Sequence, residues 1–203
     1  MYIPNAFKIE DPDLIREIAR ANAFATMIAT IEGEPFATHL PFLLGEENGQ
    51  DILYGHVAKA NPHARHLETK TLVIFAGPHG YVSPSWYETR PNVPTWNYVS
   101  VHAYGTPQII EDQTAGGDHL REMVQKFDPN LNETHPEATS EETVQRLLPG
   151  VIVFRMPVDR WEAKAKLNQN RKEEDRQAVI ARYERSDLPD EKQMAILMRQ
   201  RQR

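Results

Sequence analysis

Two apolar stretches joined by a short turn constrain the fold of this chain more than any other feature. The stretches FATMIATI (residues 24–31) and PFATHLPFLL (residues 35–44) alternate apolar and polar side chains. The connection EGEP (residues 32–35) contains a glycine. Alternation with a period of two around such a turn predicts a β-hairpin. We therefore expect an antiparallel sheet and not a parallel βαβ sheet.

Other strands and helices are predicted on both sides of the hairpin. A helix over residues 12–22 has Asp11 as its N-cap and Pro12 at its first position. Further strands are predicted at residues 51–57, 71–77, 94–110 (with a bulge or bend at 105–107) and 150–166. Further helices are predicted at residues 62–68, within 112–148, at 173–184 and at 189–200. Short strands at hairpin spacing predict a mainly antiparallel β-barrel with helices, an α+β fold.

Size and composition limit the class of protein. The 203 residues suit a single domain over residues 1–203, with residues 172–203 as a C-terminal helical extension of the same domain. There is no cysteine, which excludes disulfides, thiolate metal sites and cysteine nucleophiles and fits a reducing compartment. No signal peptide and no apolar run long enough for a bilayer is visible, so we expect a cytoplasmic protein.

The charge of the chain argues against strong binding of nucleic acid. The formal net charge is −6, whereas nucleic-acid-binding proteins usually carry a basic field. Basic residues near the C-terminus are interleaved with acidic ones, as on a solvent-exposed helix face. Neither GxGxxG nor GxxxxGK[ST] occurs, so a dinucleotide-binding fold and a P-loop are not supported.

Basic side chains gather in GHVAKANPHARH (residues 55–66). A predicted strand ends near His56, and a loop with Lys59 and Asn61 leads into the helix that Pro62 opens. Cations beside a helix N-terminus favour a phosphate group. A charged surface turn explains the same residues equally well, so both interpretations stay open.

A proline interrupts the segment ATHLPF (residues 37–42). Along a strand, Thr38 and Leu40 face one way, whereas His39 and Pro41 face the other. Proline lacks an amide hydrogen, which predicts an edge strand or a bulge at this point. A backbone amide left free there can meet a polar ligand. His39 taken alone is more typical of a structural histidine than of a ligand contact.

Aromatic rings are concentrated between residues 80 and 105. In the predicted strand, Trp96 and Tyr98 share a face with Ser100 and His102, and Asn97 lies on the other face. Rings beside hydrogen-bonding groups suit a flat heteroaromatic ligand. Packing over the end of a barrel or in a dimer interface is the alternative.

A polar run follows the last predicted strand. It comprises Lys166, Asn168, Gln169, Asn170 and Arg171. Amide side chains between cations can line a polar ligand. Asn170, or a residue just after it, is also expected to cap the next helix. An ordinary loop is the alternative.

Conventional catalytic and metal-binding patterns are weak. His63 and His66 share a helix face, but no HExxH motif or third ligand accompanies them, so we expect no metal site. Ser85 lacks the GxSxG context of a nucleophile, and the catalytic residues stay unknown. Candidates for proton transfer, chosen only because histidine titrates near neutral pH, are His39, His56 and His102.

Six segments together resemble one family. They are MYIPNAF, ATHLPF, GHVAKANPH, FAGPHGYVSPSWY, PTWNYVSVHAYG and KLNQNR, in that order over almost the whole chain. The chain resembles the PaiB-type negative transcriptional regulators, which are FMN-binding split-barrel proteins similar to pyridoxamine-phosphate oxidases. Asn168 departs from the family pattern, in which serine is expected. Asparagine keeps hydrogen-bonding capacity, so the departure affects only the detail of that contact.

The resemblance implies that FMN binds at the interface of a homodimer. Lys59 and the basic groups around it would hold the phosphate, and ATHLPF would lie along the isoalloxazine ring. The PTWNY strand and the KLNQN loop would close the site. The residues implied to bind FMN are Thr38, His39, Leu40, Pro41, His56, Lys59, Asn61, Pro62, Ser85, Trp86, Trp96, Asn97, Tyr98, Lys166, Asn168, Gln169 and Asn170.

Three functions are compatible with the resemblance. The first is negative regulation of transcription, although the charge does not support direct binding to DNA and no convincing helix-turn-helix is visible. The second is an FMN-dependent oxidoreductase, either a flavin reductase or an oxidase of a small substrate, in which the cofactor supplies the chemistry. The third is haem binding or degradation, a use of related split barrels that nothing in the spacing of the histidines selects.

Overall fold

The computed structural model describes residues 1–201. The strands are β1 (Phe24–Ile31), β2 (Glu34–Pro41), β3 (Leu43–Glu47), β4 (Gln50–Ala58), β5 (Thr71–Val82), β6 (Thr95–Gly105), β7 (Gln108–Ile109) and β8 (Val151–Lys166). The helices are α1 (Pro12–Ala21), α2 (Gln113–Phe127), α3 (Leu131–Thr134), α4 (Glu141–Leu147), α5 (Glu173–Glu184) and α6 (Pro189–Gln200). Short 3-10 helices lie at Asn5–Phe7, Pro62–Arg65, Pro84–Trp86, Pro136–Thr139 and Leu148–Gly150. No helix within residues 1–201 has the length and hydropathy needed to cross a bilayer.

The strands form one sheet in the hydrogen-bonded order β2-β1-β5-β6-β8-β4-β3, and β7 pairs with β8. The pairs of β1 with β2 and β5, of β4 with β3 and β8, and of β7 with β8 are antiparallel. This confirms the predicted antiparallel α+β class. The strand that contains Pro41 lies at one end of the order, as expected for an edge strand.

The hairpin predicted from residues 24–44 is present. β1 and β2 pair from Phe24 opposite Pro41 to Ile31 opposite Glu34. The two residues between the strands, Glu32 and Gly33, have φ of 53° and 87°. A two-residue turn with both φ values positive twists in the same sense as the strands that it joins, and Gly33 adopts that conformation without steric cost.

Two predicted strands are shorter than expected. PFATHLPFLL is divided, because β2 ends at Pro41 and β3 begins at Leu43. The strand expected over residues 94–110 ends at Gly105, and β7 begins at Gln108. A Cβ at position 105 would lie 2.3 Å from the carbonyl oxygen of Pro157, so only glycine fits this approach. The expected bend at residues 105–107 is therefore confirmed.

The chain folds as two compact units. The first unit contains residues 1–22, 75–102 and 162 onward, and the second contains residues 23–74 and 103–161. The core of the first includes Tyr183 and Met198, and the core of the second includes Leu53 and Phe154, all fully buried. Helices α5 and α6, expected as a C-terminal extension, belong to the first unit. Residues 202 and 203 of the expected extension lie outside the described residues.

Candidate functional site

A hydrogen-bonded network of Thr38, Asn61 and His63 lies in the second unit. The Thr38 hydroxyl on β2 is 2.6 Å from Nδ1 of His63, and Asn61 Nδ2 donates to the same hydroxyl at 3.2 Å. Asn61 Oδ1 accepts from the backbone N–H of His63 at 2.9 Å, which caps the helix Pro62–Arg65. The sequence predicted Thr38 and Asn61 for the site, and the structure brings them together. We call these three residues the Thr38 network.

The Thr38 network contains a buried histidine that the sequence analysis set aside. His63 is 1% exposed. Burial lowers the pKa of His63 and the charge of His66 lowers it further, so the neutral imidazole is favoured. Within the described residues, Nε2 of His63 has no hydrogen-bond partner. A buried polar atom of this kind normally has a partner, such as water or a ligand.

Lys59 lies two residues before Asn61 in the chain. Its side chain is exposed, and its backbone N–H donates to the carbonyl of Gly150 at 2.9 Å. No carboxylate within residues 1–201 lies within 4 Å of its ammonium. Lys59 also lines a cavity of about 400 Å³ together with Glu111 and Asp112. Its charge is therefore available to an anion.

The rest of ATHLPF divides between the two faces of β2, as predicted. His39 is exposed, and its Nδ1 lies 3.0 Å from the hydroxyl of Thr26. Leu40 is buried in the core, and Pro41 is half-buried at the end of the strand. The predicted contacts Thr38 and His39 therefore lie on opposite faces, and one bound ring cannot lie flat against both.

His56 forms a buried pair that the sequence did not predict. On β4, the neighbouring Gly55 packs against Leu40 and Phe154, whereas the side chain of His56 points the opposite way. Its Nδ1 lies 3.2 Å from Nε2 of His119 on α2. Burial lowers the pKa of His56. Burial, together with the charge of His56, lowers the pKa of His119 to about 4. The structure does not bring His56 together with the Thr38 network.

One sheet face of the first unit carries rings and cations. We call it the ring face, and it comprises His79, Tyr81, Trp96, Tyr98, Lys164 and Lys166. The ring of Trp96 lies 6.0 Å from that of His79 and 5.7 Å from that of Tyr81. The ammonium of Lys164 lies 4.9 Å from the ring centre of Tyr98. The predicted alternation along β6 is confirmed, since Asn97, Val99, Val101 and Ala103 are buried on the opposite face.

Three of the predicted amide contacts use their polar groups inside the protein. Asn97 is fully buried, and its Nδ2 donates to the sulfur of Met198 at 3.7 Å. Asn168 donates to the hydroxyl of Tyr87 at 3.1 Å and has a φ of 58°, a conformation that asparagine tolerates better than most residues. Gln169 accepts from the N–H of Leu167 and donates to the carbonyl of Ala165, both at 2.6 Å.

The N-cap of helix α5 is one of the polar residues after Asn170, but its side chain makes no capping hydrogen bond. Helix α5 begins at Glu173, with Lys172 as N-cap and no hydrogen bond from its side chain. Asn170 is exposed and does not cap the helix. Acidic side chains in the first turn of α5 stabilise its N-terminus electrostatically in place of a cap.

Asp175 in that first turn was not predicted to have any role. It is 1% exposed and accepts from the N–H of Glu88 at 2.8 Å and from the N–H of Thr89 at 3.0 Å. The hydroxyl of Thr89 donates to it at 2.5 Å. Asp175 thereby fixes the loop after Pro84–Trp86. In the sequence it is one acid in the run EED, so no local signal identified it.

Ser85 and Trp86 lie at the start of this loop. The Ser85 hydroxyl is 2.8 Å from the Ser83 hydroxyl, with no base activating it as a nucleophile among the hydrogen bonds of residues 1–201. Trp86 packs edge-on against Tyr81 at 6.5 Å and Tyr183 at 6.0 Å. In the described part of the chain, no three His, Asp or Glu side chains group to hold a metal ion.

The chain is similar to known proteins over most of its length. The family model described as "Putative FMN-binding domain" matches residues 1–160. Protease synthase and sporulation protein PAI 2 of Bacillus subtilis is 38% identical over 202 residues, which cover 98% of this chain and 96% of that protein.

Solved structures share the fold at low sequence identity. The flavocytochrome Anf3 from Azotobacter vinelandii matches with a TM-score of 0.64 and 19% identity, over 83% of this chain and 73% of its own. An FAD and heme binding protein from Mycobacterium smegmatis matches with a TM-score of 0.61 and 18% identity. The match covers 78% of this chain and 73% of that protein. The expected split-barrel fold is confirmed. The match over most of the chain and the identity to PAI 2 together show that this protein belongs to the PaiB-type family of FMN-binding domains.

Proposed function

We propose that this protein binds FMN with the phosphate held by Lys59 and the Thr38 network. The observation that carries the proposal is the hydrogen-bonded pair of the Thr38 hydroxyl and the Asn61 amide, with Lys59 two positions before Asn61 and no carboxylate of residues 1–201 within 4 Å of its ammonium. Hydroxyl and amide donors beside a cation are the groups that recognise phosphate. The buried Nε2 of His63, which lacks a partner within residues 1–201, is consistent with a bound polar group.

The other predicted contacts have different roles in this proposal. His39, Pro62, Ser85 and Asn170 have exposed side chains that a ligand can contact. Asn168 and Gln169 hold neighbouring backbone and side chains in place through hydrogen bonds. The buried Nδ2 of Asn97 donates to the sulfur of Met198, whereas its Oδ1 has no hydrogen-bond partner within residues 1–201. FMN, when bound, supplies one- and two-electron redox chemistry. The protein's own side chains then position the cofactor.

The role we propose for the FMN-bound protein is negative regulation of transcription, as in the PaiB type. The net charge of −6 disfavours a strong direct contact with DNA, so regulation acts through a partner or through a basic surface formed only on assembly. A gel-shift assay at physiological salt tests this. Retardation of promoter DNA by the isolated protein would contradict regulation through a partner and support a basic surface formed on assembly.

An FMN-dependent oxidoreductase is the second candidate. The exposed rings of Trp96 and Tyr81, which are 53% and 40% exposed, favour it because a redox partner that is planar can stack there. Anaerobic addition of a reduced nicotinamide to the FMN-loaded protein tests the reductase version. Bleaching of the flavin absorbance supports it, and an unchanged spectrum excludes it.

We also propose a homodimer in the cytoplasm, with FMN at the subunit interface. Large apolar side chains on the surface support an interface, among them Phe24 at 69% and Val93 at 66% exposed. The absence of cysteine fits a reducing compartment.

Riboflavin tests the assignment of the phosphate, because it is FMN without that group. We expect the wild type to bind FMN at least tenfold more tightly than riboflavin, since charged hydrogen bonds to phosphate are lost. Lys59→Ala should reduce that ratio, whereas Lys70→Ala, at an exposed lysine of the same unit that pairs with Asp159, should preserve it. Quenching of flavin fluorescence measures both affinities. An equal ratio in all three proteins would contradict the role of Lys59.

A further inference from the structure

A cavity beside the pair of His56 and His119 is lined mainly by apolar side chains. Its volume is about 430 Å³, and it lies within the second unit, where residues of β4, α2, α4 and β8 meet. The apolar side chains that line it include Leu120, Met123, Val124, Val144, Leu147 and Val151. A cavity of this size and lining is typical of sites that hold small ligands. We call it the His56 cavity, because His56 also lines it.

The other polar side chains of the His56 cavity already have partners. The guanidinium of Arg121 pairs with Asp118 at 3.0 Å and with Glu141. Its Nε donates to the carbonyl of Thr139 at 3.3 Å. The hydroxyl of Thr139 donates to Oδ1 of Asn132. Because two carboxylates balance the guanidinium, the cavity offers no free charge to an anionic ligand.

The two ring nitrogens of His56 have different surroundings. Nδ1 lies 3.2 Å from Nε2 of His119. Nε2 has no hydrogen-bond partner among residues 1–201, and it is not one of the fully enclosed polar atoms of the protein. Since Nδ1 is directed at His119, Nε2 on the other side of the ring is the polar atom that remains for the cavity.

Burial of the pair determines which nitrogens carry hydrogen. Burial lowers the pKa of both histidines, so each neutral ring carries one N–H. His119 is 4% exposed, and its Nδ1 is buried without a hydrogen-bond partner within residues 1–201. A buried N–H without an acceptor is rarer than a buried acceptor without a donor. The favoured arrangement therefore has Nε2–H of His119 donating to Nδ1 of His56, which leaves the hydrogen of His56 on Nε2.

An N–H group in an apolar cavity favours a ligand that can accept its hydrogen bond. We propose that the His56 cavity binds a small neutral molecule with an apolar body and one acceptor, such as an aromatic ketone, whose oxygen accepts from Nε2 of His56. His119 is a positioning residue, because it fixes the hydrogen of His56 on Nε2. The family resemblance implied an FMN contact for His56. The ligand of this cavity is a different one, and it does not depend on the phosphate site proposed at Lys59.

Acetophenone and α-methylstyrene are matched probes, because a methylene group replaces the ketone oxygen in the second molecule. Transfer from water favours the hydrocarbon in any apolar cavity, so the change in the ratio of the two affinities between variants reports the hydrogen bond. Ligand-observed NMR titration of the full-length protein measures both affinities. His56→Phe should shift the ratio about three- to tenfold against acetophenone, as expected for the loss of one hydrogen bond. His119→Phe should shift it less, since His56 then keeps its nitrogens but not its fixed tautomer.

Control variants separate the hydrogen bond from general effects on the cavity. Ala138→Leu, which fills part of the cavity, should weaken the binding of both probes. His79→Phe, at an exposed histidine of the first unit, should leave both affinities and their ratio unchanged. An unchanged ratio in His56→Phe, or undiminished binding of both probes in Ala138→Leu, would overturn the inference.

The wild type alone also tests the inference, so the result does not depend on the folding of a variant. Long-range proton–nitrogen NMR spectra of the imidazoles should show His56 protonated at Nε2, and acetophenone should shift that nitrogen resonance further than α-methylstyrene does. Protonation of His56 at Nδ1, or failure of acetophenone to bind, would contradict the proposed site. Displacement of acetophenone by FMN would also contradict it and assign the cavity to the flavin.

Discussion

At the scale of single residues, the histidines show how far side-chain chemistry depends on the fold. His56 and His119 are 63 positions apart in the chain, and only the packing of α2 on β4 brings their nitrogens to 3.2 Å. Their burial favours the neutral imidazoles, because the surroundings supply no counter-charge. His56 was predicted to be a ligand contact. Its partner His119 was not predicted, because no local pattern reveals a contact with a distant helix.

The pair predicts that the protein is less stable in weak acid. The pKa of His119 falls from 6.5 to about 4 on folding, so the unfolded chain binds more protons between these values. The free energy of unfolding should therefore decrease as the pH falls from 6.5 to 4, by at most about 3 kcal/mol from this residue. Urea unfolding at pH 7 and pH 5 measures the loss.

Variants identify the source of this pH dependence. Glutamine does not titrate, so His119→Gln should lose less stability than the wild type between pH 7 and pH 5. His135→Gln, which changes an exposed histidine, should retain the wild-type loss. If His119→Gln and the wild type lose the same free energy, the pair is not the origin of the effect.

At the scale of elements, the predictable features are those that local sequence determines. Asp11 caps α1 and accepts from the N–H of Asp13 at 3.0 Å, as its position before a proline indicated. The β1–β2 hairpin follows from alternation and Gly33. The start of the helix Pro62–Arg65 was predictable for the same reason, because Asn61 and Pro62 mark it in the sequence. The role of Asp175 was not predictable, since its partners Glu88 and Thr89 are remote in sequence.

The anchoring of the loop by Asp175 leads to a second prediction. Burial alone would raise the pKa of Asp175, but hydrogen bonds from Thr89 and Glu88 and the charge of Arg171 together lower it. The carboxylate therefore stabilises the fold at pH values above its ordinary pKa. This stabilisation is lost as the pH falls through the lowered pKa of the folded state. Asp175→Asn should cost about 2 kcal/mol, because hydrogen bonds to a buried charge are weakened.

Hydrogen exchange locates this effect. The amides of Glu88 and Thr89 should exchange much faster in Asp175→Asn than in the wild type, because each donates to the carboxylate. Glu174→Gln, at the exposed neighbouring acid, should leave both rates unchanged. Equal protection of the two amides in Asp175→Asn would mean that other contacts hold the loop.

At the scale of the whole molecule, the fold class followed from the spacing of short strands, and the family followed from six dispersed segments. The division into two compact units did not follow from either. Each unit combines segments that are distant in the chain, and a linear pattern does not reveal such a combination.

Assembly is a prediction at this scale. Sedimentation equilibrium should give about twice the 23.3 kDa mass of the chain, since the exposed apolar side chains are expected to be covered by a second copy. Phe24→Glu or Val93→Glu should shift the equilibrium toward the monomer if either side chain lies in the interface. A monomer over the whole micromolar range would contradict the proposed dimer.

FMN binding itself is the central claim, and the visible absorbance spectrum after equilibrium dialysis against FMN tests it most directly. We predict a flavin spectrum that differs from that of free FMN and saturates at one FMN per chain. Saturation at that ratio in the wild type, with weaker binding in Lys59→Ala, would support both the cofactor and the site of its phosphate. Equal flavin concentrations on both sides of the membrane at all concentrations would show that this chain has the fold of the family but does not bind its cofactor.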